Sequence, residues 1–458
     1  MLAAILLLQF VAHIVLVNSL HNGDEGHYLA YAWLSTKGWL IYRDFFDHHS
    51  PGITFLGAAA FSLFGDSILV ARVLSALFQL GITVMVFLIA QKLFGARLAL
   101  GASAIYAWLE IPYGGFWFVT EPFYSFFLAA AIFVLACGRE IRGALMAGFL
   151  IGIAIAFKQS ALWALPALAL YLIFEKGVGR AAVHIAALGL GASIMPLVLA
   201  LYFFSQNAFG DLLYGTVLYN FFVIGSKTLG VPIYIELFWA IPLLAVLAAV
   251  AWDGIARESA ILLAWSIAAL ADAFPEYREF RLIPALAPIS VMAAHVVVSH
   301  STLSRAPVLR GIVAGCIVFS TLFLTVFFAA ALWIPEMDPS HLLHDATAYI
   351  SARTQANETT FALPFLAGAY FFSKRIPASR YLFLGFWGTT EEMQQEIIRA
   401  LEEKKPRYIL FLESGTEQDS WKRFNNYAPL VNSYVWRNYG IERRYSSEDL
   451  QLFVLRRI

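Results

Sequence analysis

Residues 22–51, NGDEGHYLAYAWLSTKGWLIYRDFFDHHSP, form a polar segment that follows directly on an apolar run at residues 2–17. The apolar run is typical of a first membrane span, and it lacks the basic start and the small-residue cleavage site of a signal peptide. The sequence therefore predicts that the polar segment is held at a membrane surface, as the first loop, residues 21–66. Its acidic and imidazole groups mark it as a place for chemistry: Asp24, Glu25, Asp44, Asp47, His48 and His49.

The composition places the chain among membrane proteins. Hydrophobic residues make up 60% of the 458 residues and charged residues only 14%, and the mean hydropathy is +0.70. So much apolar surface predicts a polytopic α-helical protein that has the lipid bilayer as a partner. Equal numbers of basic and acidic residues, 31 of each, give no support for a nucleic-acid partner. Both cysteines, Cys137 and Cys316, lie in or beside apolar runs, which argues against a disulfide framework or a thiolate metal site.

About eleven apolar runs are long enough to be membrane spans. If the N-terminus is cytoplasmic, every loop on the cytoplasmic side carries a basic residue, as the positive-inside bias requires. The first loop and the region after the last span then lie outside. The sequence thus predicts a transmembrane domain at residues 1–335, with spans near 2–19, 68–90, 98–112, 119–137, 144–157, 160–174, 181–204, 234–251, 259–273, 282–298 and 311–333.

Several basic residues lie outside the cytoplasmic loops and do not contribute to the positive-inside bias. Lys158 interrupts an apolar stretch, and Arg278 and Arg281 occupy the short segment PEYREFR on the outer side. A charge near the membrane is unfavourable unless it is paired or functional. Each residue taken singly is equally well explained by snorkelling or by a neighbouring carboxylate. Several on one side of the membrane favour an anionic ligand.

Residues 336–458 lack long apolar runs and have the pattern of a small extracytoplasmic α/β domain. Helical spacing occurs at 341–355 and 390–404, and the second helix has Thr389 or Thr390 as its N-cap. Short strands are expected at 359–363, 407–412 and 451–456. The segment contains neither a glycine-rich phosphate loop nor a metal-ligand pattern, so we expect it to cover the membrane-side cavity or to hold an acceptor.

The first loop itself reads as two juxtamembrane helices joined by a turn. The first, at 25–37, follows Asp24 and ends at Gly38, and the second, at 51–64, follows Ser50 and ends at Gly65. A purely structural interpretation makes Asp24 a helix N-cap and Glu25 a partner of the helix dipole.

The segments NGDEGHYL, YRDFFDHHSPG and LFGDSILVARVLSAL resemble the first loop and second span of the GT-C glycosyltransferases. The sequence is similar to the dolichyl-phosphate-mannose–protein mannosyltransferase-like family of prokaryotes, and also to the aminoarabinose transferases. TEPFYSFF at 120–127, the Lys158-Gln159 step and EYREFRLIPALAP at 276–288 fit the same family. The resemblance covers the membrane part and implies a GT-C fold in a prokaryotic inner membrane. Many relatives carry HPP or KPP where this chain has His49-Ser50-Pro51, which is a departure from the pattern.

The resemblance implies transfer of a sugar from a polyprenyl-phosphate carrier to a hydroxyl of a lipid, glycan or protein on the outer face. The family's catalytic acidic residue falls on Asp24, with Glu25 beside it. An inverting transfer needs a carboxylate that takes the acceptor proton. The departing phosphate is stabilised by cations placed where its negative charge develops. The candidates for these cations are Lys158, Arg278 and Arg281. Glu121 is expected to orient the acceptor or the base, unless it is an ordinary first-turn carboxylate.

The remaining polar and aromatic residues of the loop are candidates for contact with the substrate. They are Asp47, His49, Tyr28 and Tyr42, although the aromatic residues are equally well explained as interfacial anchors. No cofactor is predicted. The candidates for a divalent cation are Asp47, His48 and His49, and we expect at most one of the two histidines as a ligand, because adjacent side chains usually point apart.

Two other functions fit a chain of this composition. A transporter or flippase of lipid-linked glycans would show ionisable residues within its spans and an internal repeat. A non-catalytic membrane scaffold would leave the acidic loop and the outer cations without a role.

Overall fold

The structure, a computed structural model, describes residues 1–17, 23–138, 140–225, 257–273, 276–277, 279–298, 340–414, 423–446 and 450–458, together with isolated positions between 234 and 326. Two of the predicted spans, 234–251 and 311–333, lie outside the described residues. Cys316 and Arg278 lie outside them as well.

The first two thirds of the chain are helical. The helices are α1 Leu2–Val15, α2 Gly23–Thr36, α3 Gly52–Phe64, α4 Ile68–Phe94, α5 Ala96–Leu109, α6 Thr120–Cys137, α7 Ile141–Phe157, α8 Ala164–Lys176, α9 Val178–Ser205, α10 Phe209–Leu213, α11 Arg257–Ala273 and α12 Ile283–Val298. Short 3₁₀ segments precede α8 and α12, at Gln159–Trp163 and Phe280–Leu282, and a π-helix at Tyr214–Ile224 follows α10. Two-residue strands β1 Tyr234–Ile235 and β2 Glu276–Tyr277 pair in parallel.

Four helices among the described residues are long and apolar enough to cross a membrane, and six shorter apolar helices accompany them. Of the nine predicted spans that fall on described residues, eight correspond to one of these helices, and the span at 160–174 corresponds to the 3₁₀ segment Gln159–Trp163 together with α8. The number of spans stays a prediction.

The C-terminal region folds as a small α/β domain. Its elements are α13 Ser340–Ser351, β3 Thr359–Leu363, α14 Gly368–Ser373, β4 Ile376–Pro377, α15 Glu391–Lys404, β5 Tyr408–Ser414, α16 Phe424–Tyr427, α17 Pro429–Asn438, β6 Tyr439–Ser446 and β7 Leu450–Arg457. The five strands have the order β4-β3-β5-β7-β6. β3 is parallel to β4 and β5, whereas β7 is antiparallel to β5 and β6.

Most of the elements expected in this region are present. The predicted strand at 359–363 has the observed bounds, and the side chain of Thr390 accepts a hydrogen bond from the amide of Met393, as an N-cap should. Strand β6 was not predicted. Its alternating burial is interrupted by an irregularity in the strand register between Ile441 and Arg443.

By its internal contacts the chain divides into two compact units. Unit 1 comprises Met1–Asn18, Arg72–Tyr202 and Pro232–Ala330, and unit 2 comprises Ser19–Ala71, Phe203–Val231 and Ala331–Ile458. The predicted division at residue 335 differs, because the first loop groups with the C-terminal region. As a functional division it stays a prediction.

In unit 1, α7 and α9 cross where small residues let their backbones meet. Gly148 and Gly152 lie one turn apart on α7, and a Cβ at Gly152 would be 2.7 Å from the carbonyl oxygen of Ala192. A Cβ at Gly148 would overlap the carbonyl oxygen of Leu188. Such close approach between small residues is a common way to associate helices in lipid, where apolar side chains gain little from leaving the bilayer.

A buried polar network joins α1, α4 and α5 of unit 1. The imidazole Nε2 of His13 lies 2.8 Å from Oε1 of Glu110, and the amide of Gln9 donates to the same oxygen at 3.1 Å. Thr83 donates to Gln9 at 2.8 Å. All four side chains are buried, so these contacts replace hydrogen bonds to water. Among the described residues, Nδ1 of His13 and Oε2 of Glu110 have no hydrogen-bond partner. This network was not predicted, although ionisable side chains such as His13 and Glu110 within or beside apolar runs are a signal for buried polar contacts in a membrane protein.

In unit 2, the two helices of the first loop lie close to expectation. α2 begins at Gly23, so Asp24 is inside the first turn rather than at the N-cap. α3 begins at Gly52, one residue after the expected start at Pro51. α3 ends at Gly65, and the turn after α2 contains Gly38; both glycines have positive φ.

Two contacts connect the first loop with the C-terminal region inside unit 2. The backbones of α2 and α14 meet at Gly26 and Gly368, where a Cβ on Gly26 would lie 3.1 Å from the Cα of Gly368. The ammonium of Lys374 is 3.1 Å from a carboxylate oxygen of Asp66. The helix that begins with Asp24 and Glu25 is therefore packed directly on the C-terminal domain.

Candidate functional site

The predicted site residues are divided between the two units. Unit 2 holds the first-loop residues Asp24, Glu25, Tyr28, Tyr42, Asp47, His48 and His49, and unit 1 holds Glu121, Lys158 and Arg281. Each group is described by itself.

Asp24 and Glu25 both lie in the first turn of α2, where the positive end of the helix dipole stabilises carboxylates. Their environments differ. The side chain of Asp24 is 45% exposed, whereas Glu25 is only 1% exposed. An incoming hydroxyl can therefore reach Asp24 and not Glu25, so the structure separates two acids that the sequence treats alike.

His27 is a member of this group that the sequence analysis missed. Its Nδ1 lies 3.8 Å from Oδ1 of Asp24, three residues earlier on α2, and its ring packs edge-on against Phe383 with centroids 4.0 Å apart. Burial lowers the pKa of His27 to about 4, although the negative charge of Asp24 opposes this shift. The imidazole is thus neutral at neutral pH. The spacing of three residues on a helix, which places side chains on one face, was the available signal.

Accessible aromatic rings surround this face of α2. Phe383 contacts Phe365 and Trp387 at centroid distances of 4.8 and 5.6 Å, and Phe365 stacks on Trp387 at 5.7 Å. All three rings are partly exposed. Aromatic faces of this kind can stack on a sugar ring or an isoprenoid chain. Aromatic contacts were expected within the first loop only, whereas Phe365 follows β3, and Phe383 and Trp387 follow β4.

Hydrogen bonds to Asp47 hold the joint at residues 47–49 together. Asp47 is buried, and its Oδ1 accepts hydrogen bonds from the amide of His48 at 2.7 Å and from the ring of His49 at 2.9 Å. Nδ1 of His48 is 3.7 Å from the same oxygen, and the two imidazole centroids are 3.9 Å apart. The expectation that adjacent histidines point apart is therefore wrong here, since both rings turn toward Asp47.

Distant side chains hold the backbone of this joint. The amide of Asn220 donates to the carbonyl of His48 at 2.8 Å, and the hydroxyl of Tyr42 donates to the carbonyl of His49 at 2.6 Å. Burial opposes ionisation of Asp47, but the two imidazoles and the hydrogen bonds outweigh it, so the pKa of Asp47 lies below its usual value. The joint is a carboxylate held between two imidazoles.

The two tyrosines expected to contact substrate are both buried. Tyr28 meets His49 edge-on at 5.9 Å. Tyr42 has its hydroxyl occupied by the carbonyl of His49 and a positive φ of 73°. We therefore reassign Tyr42 from substrate contact to support of the joint, since a buried hydroxyl with a partner offers nothing to a sugar.

In unit 1, Lys158 lies at the end of α7, where the backbone becomes extended. Its ammonium is 2.9 Å from Oε1 of Glu121 and 3.4 Å from Oδ2 of Asp272, and Tyr124 donates a hydrogen bond to Asp272. The positive charge of Arg281 repels that of Lys158. Lys158 is thus already held by two carboxylates, so its predicted contact with a donor phosphate is less favourable than the sequence suggested.

Glu121 is buried in the first turn of α6, as the structural interpretation expected, and it also holds Lys158. Asp272 was not predicted as a site residue. It lies at the end of a predicted span, 114 residues from Lys158 along the chain. Arg281 belongs to the 3₁₀ turn before α12.

A family model described as dolichyl-phosphate-mannose-protein mannosyltransferase matches residues 48–203. No curated protein matches the sequence.

Solved structures match the whole chain. ArnT from Cupriavidus metallidurans bound to undecaprenyl phosphate is similar with a TM-score of 0.63 and 13% identity, over 99% of this chain and 96% of that one. The oligosaccharyltransferase of Archaeoglobus fulgidus tethered with an acceptor peptide has a TM-score of 0.56 and 13% identity, over 100% of this chain and 74% of that one. The oligosaccharyltransferase AglB from Archaeoglobus fulgidus, in complex with an inhibitory peptide and a dolichol-phosphate, has a TM-score of 0.53 and 12% identity, over 99% of this chain and 74% of that one.

These matches confirm the expected fold class, a polytopic α-helical membrane protein of the GT-C type with a small C-terminal sheet domain. The family model agrees over residues 48–203 with the resemblance inferred from the sequence, and the solved structures share the fold of this chain, which is that of an integral membrane protein.

Proposed function

We propose that this protein is a membrane glycosyltransferase that moves a sugar from a polyprenyl-phosphate carrier to a hydroxyl of a lipid, glycan or protein acceptor. The fold supports this function, because similar structures hold undecaprenyl phosphate, dolichol-phosphate or an acceptor peptide. The match of residues 48–203 to the mannosyltransferase family supports it independently of the fold.

The observation that carries the assignment of a base is the contrast between Asp24 and Glu25. A general base must come within hydrogen-bond reach of the proton that it removes. Asp24 has nearly half of its side chain exposed, whereas Glu25 is buried. We therefore assign the base to Asp24, and we assign to Glu25 a supporting role within the loop.

The reaction is a single inverting displacement at the anomeric carbon. The acceptor oxygen attacks this carbon from the face opposite the phosphate and forms the new C–O bond. The bond between the anomeric carbon and the phosphate oxygen breaks, and its electron pair leaves with the phosphate. Asp24 takes the acceptor proton. Phosphate is already a good leaving group, so no acid catalyst is required, and cations that stabilise its charge are sufficient.

For the donor phosphate we favour Arg281, with Arg278 as its neighbour in sequence, because a guanidinium can form two parallel hydrogen bonds to phosphate. Lys158 is assigned to positioning, since its ammonium lies between Glu121 and Asp272. Glu121 is buried and paired with Lys158, so we assign it to holding the ammonium of Lys158 in place.

The aromatic cluster of Phe365, Phe383 and Trp387 is the proposed contact for the sugar or the isoprenoid. The active site and the C-terminal domain are placed on the outer face, following the positive loops, and the membrane is taken as a prokaryotic inner membrane. Asp47 and His49 stay candidates for contact with the substrate.

The test is transfer from labelled polyprenyl-phosphate sugars in membranes that contain the wild type or Asp24→Asn. We expect the variant to lose about 10²-fold or more in rate, the usual contribution of a general base. Asp345→Asn removes an exposed carboxylate of the same unit and serves as the control that keeps its activity. Unchanged transfer by Asp24→Asn removes Asp24 as the base. Failure of the wild type with every undecaprenyl and dolichyl donor contradicts the proposed function itself.

A further inference from the structure

Helix α2 places a second titratable side chain beside the proposed base. Nδ1 of His27 lies 3.8 Å from Oδ1 of Asp24, because residues three apart on a helix share one face. An N–H···O hydrogen bond measures about 2.7–3.2 Å, so this contact is slightly too long to be one. The side chain of Asp24 is 45% exposed and that of His27 only 10%. A small rotation of the exposed carboxylate, rather than of the buried ring, would close the contact.

The imidazole of His27 is held in a fixed orientation. It packs edge-on against Phe383 with ring centroids 4.0 Å apart, and it stacks on Tyr31 at 6.2 Å. One residue earlier, the backbones of α2 and α14 meet, so that a Cβ on Gly26 would lie 3.1 Å from the Cα of Gly368. A ring that is fixed in this way can hold a more mobile carboxylate in one position.

The ring of His27 carries a single proton at neutral pH, because burial lowers its pKa to about 4. The charged groups that face it are Asp24 and Asp47, which raise the pKa, and His49, which lowers it. Within the described part of the chain, Nε2 of His27 is buried and has no hydrogen-bond partner.

These surroundings select one of the two neutral tautomers. With the proton on Nδ1, the N–H of His27 points to a carboxylate oxygen of Asp24. The other tautomer would direct the lone pair of Nδ1 at that carboxylate, and it would leave the N–H of Nε2 buried without an acceptor, which is unfavourable. The proton therefore belongs on Nδ1.

We propose that His27 positions Asp24: Nδ1–H donates a hydrogen bond to Oδ1, and Oδ2 is turned toward the acceptor hydroxyl. This role rests on the proposed function, because it concerns the base of that reaction. In the transfer step, the O–H bond of the acceptor breaks and its proton goes to Oδ2 of Asp24, while His27 keeps its own proton. Such hydrogen bonds are often long in a free enzyme and shorten in the complex with substrate.

A neutral donor suits a positioning residue beside a base. A cation at the same place would stabilise the carboxylate of Asp24 more strongly and would make it a weaker base. Burial of His27 against Phe383 thus has a use in the reaction, since it keeps the ring neutral while leaving Nδ1 beside the carboxylate.

Two variants separate positioning from packing. The amide nitrogen of an asparagine can occupy the place of Nδ1, whereas that of a glutamine occupies the place of Nε2. We expect His27→Asn to keep most of the transfer rate. His27→Gln is expected to lose about tenfold or more in kcat, with KM for the donor changed by less than about threefold. A role in packing alone predicts the reverse order, since glutamine fills more of the space that the ring leaves.

The rates are measured in membranes against the concentration of labelled undecaprenyl-phosphate mannose and dolichyl-phosphate mannose. The matched control is His341→Asn, which changes an exposed histidine of the same unit and is expected to transfer like the wild type. A His27→Gln protein that is as active as His27→Asn, or more active, overturns the proposal.

A second measurement needs no turnover. Nitrogen-15 NMR of the full-length protein, labelled at its histidine ring nitrogens, distinguishes the two tautomers. The signals of His27 are those missing from His27→Asn. We expect a neutral ring at neutral pH with its proton on Nδ1. A proton on Nε2, or on both nitrogens, overturns the proposal.

The outcomes separate the positioning role from the proposed function. If the wild type transfers no sugar from any donor, the proposed function fails, and the tautomer still decides whether His27 donates toward Asp24. If Asp24→Asn is inactive and His27→Gln is fully active, the function stands and the positioning role falls. If neither histidine variant folds, as judged by size-exclusion chromatography, the wild-type tautomer carries the test, with its signal assigned by the shift that Asp24→Asn causes.

Discussion

The crossing of α7 and α9 in unit 1 allows a quantitative prediction from one methyl group. In Gly152→Ala, the new Cβ would lie 2.7 Å from the carbonyl oxygen of Ala192 and 3.2 Å from its carbonyl carbon. A carbon and a carbonyl oxygen in contact are about 3.3–3.6 Å apart, so the shortfall is roughly 0.6 Å or more. Backbone atoms cannot rotate away as side chains do. The two helices must therefore separate.

The expected destabilisation follows from two opposing terms. Overpacking of a close contact costs typically about 1–3 kcal/mol. Replacing glycine by alanine in a helix contributes up to about 1 kcal/mol in the other direction. Gly189→Ala on α9 isolates the second term, because a Cβ at that position meets nothing within 4 Å. The difference between the two variants is then the overpacking term alone, about 1–3 kcal/mol.

The measurement is unfolding of wild type, Gly152→Ala and Gly189→Ala in mixed micelles titrated with a denaturing detergent. We expect Gly189→Ala to be as stable as the wild type or slightly more stable, and Gly152→Ala to be clearly less stable. Gly148→Ala should be worse than Gly152→Ala, because its Cβ would overlap the carbonyl oxygen of Leu188. Equal stability of Gly152→Ala and Gly189→Ala would refute the close crossing of these helices.

Two further predictions concern buried histidines. Because burial lowers the pKa of His27 to about 4, the unfolded chain binds more protons between that value and about 6.5. The free energy of unfolding should therefore decrease as the pH drops from about 6.5 to about 4, by roughly 3 kcal/mol in total. The same loss in His27→Gln, measured as thermal unfolding against pH, would contradict this assignment. In unit 1, His13→Leu and Glu110→Leu should each destabilise the protein, and the double variant should lose less than the sum by about 1 kcal/mol or more, since both belong to one buried network. Strictly additive losses in the same detergent titration would show that the pair is not coupled.

Much of the local structure follows from short stretches of the sequence. The apolar runs predicted the helices of the membrane part, and the positions of Gly38 and Gly65 predicted where the two first-loop helices end. Thr390 predicted the start of α15. Each of these features depends on residues within one or two helical turns, so a local pattern is sufficient.

The candidate site was only partly predictable. The sequence identified Asp24 as the acid of interest, on the strength of a family pattern, but it treated Glu25 as an equal neighbour. It also expected His48 and His49 to diverge, because that is the usual behaviour of adjacent side chains. The backbone carbonyls of these two histidines accept hydrogen bonds from the amide of Asn220 and the hydroxyl of Tyr42, and no rule about neighbouring residues includes Asn220.

Hydropathy and periodicity are local properties, so the amino-acid sequence is enough to predict a helical membrane protein with an acidic first loop and a small α/β domain. Which groups are exposed, paired or buried together depends on the tertiary structure. Lys158 is paired with Glu121, 37 residues away along the chain, and with Asp272, 114 residues away. His27 lies against Phe383, from the other end of the chain. Such pairings depend on how helices pack, and burial then sets the exposure and charge of each group.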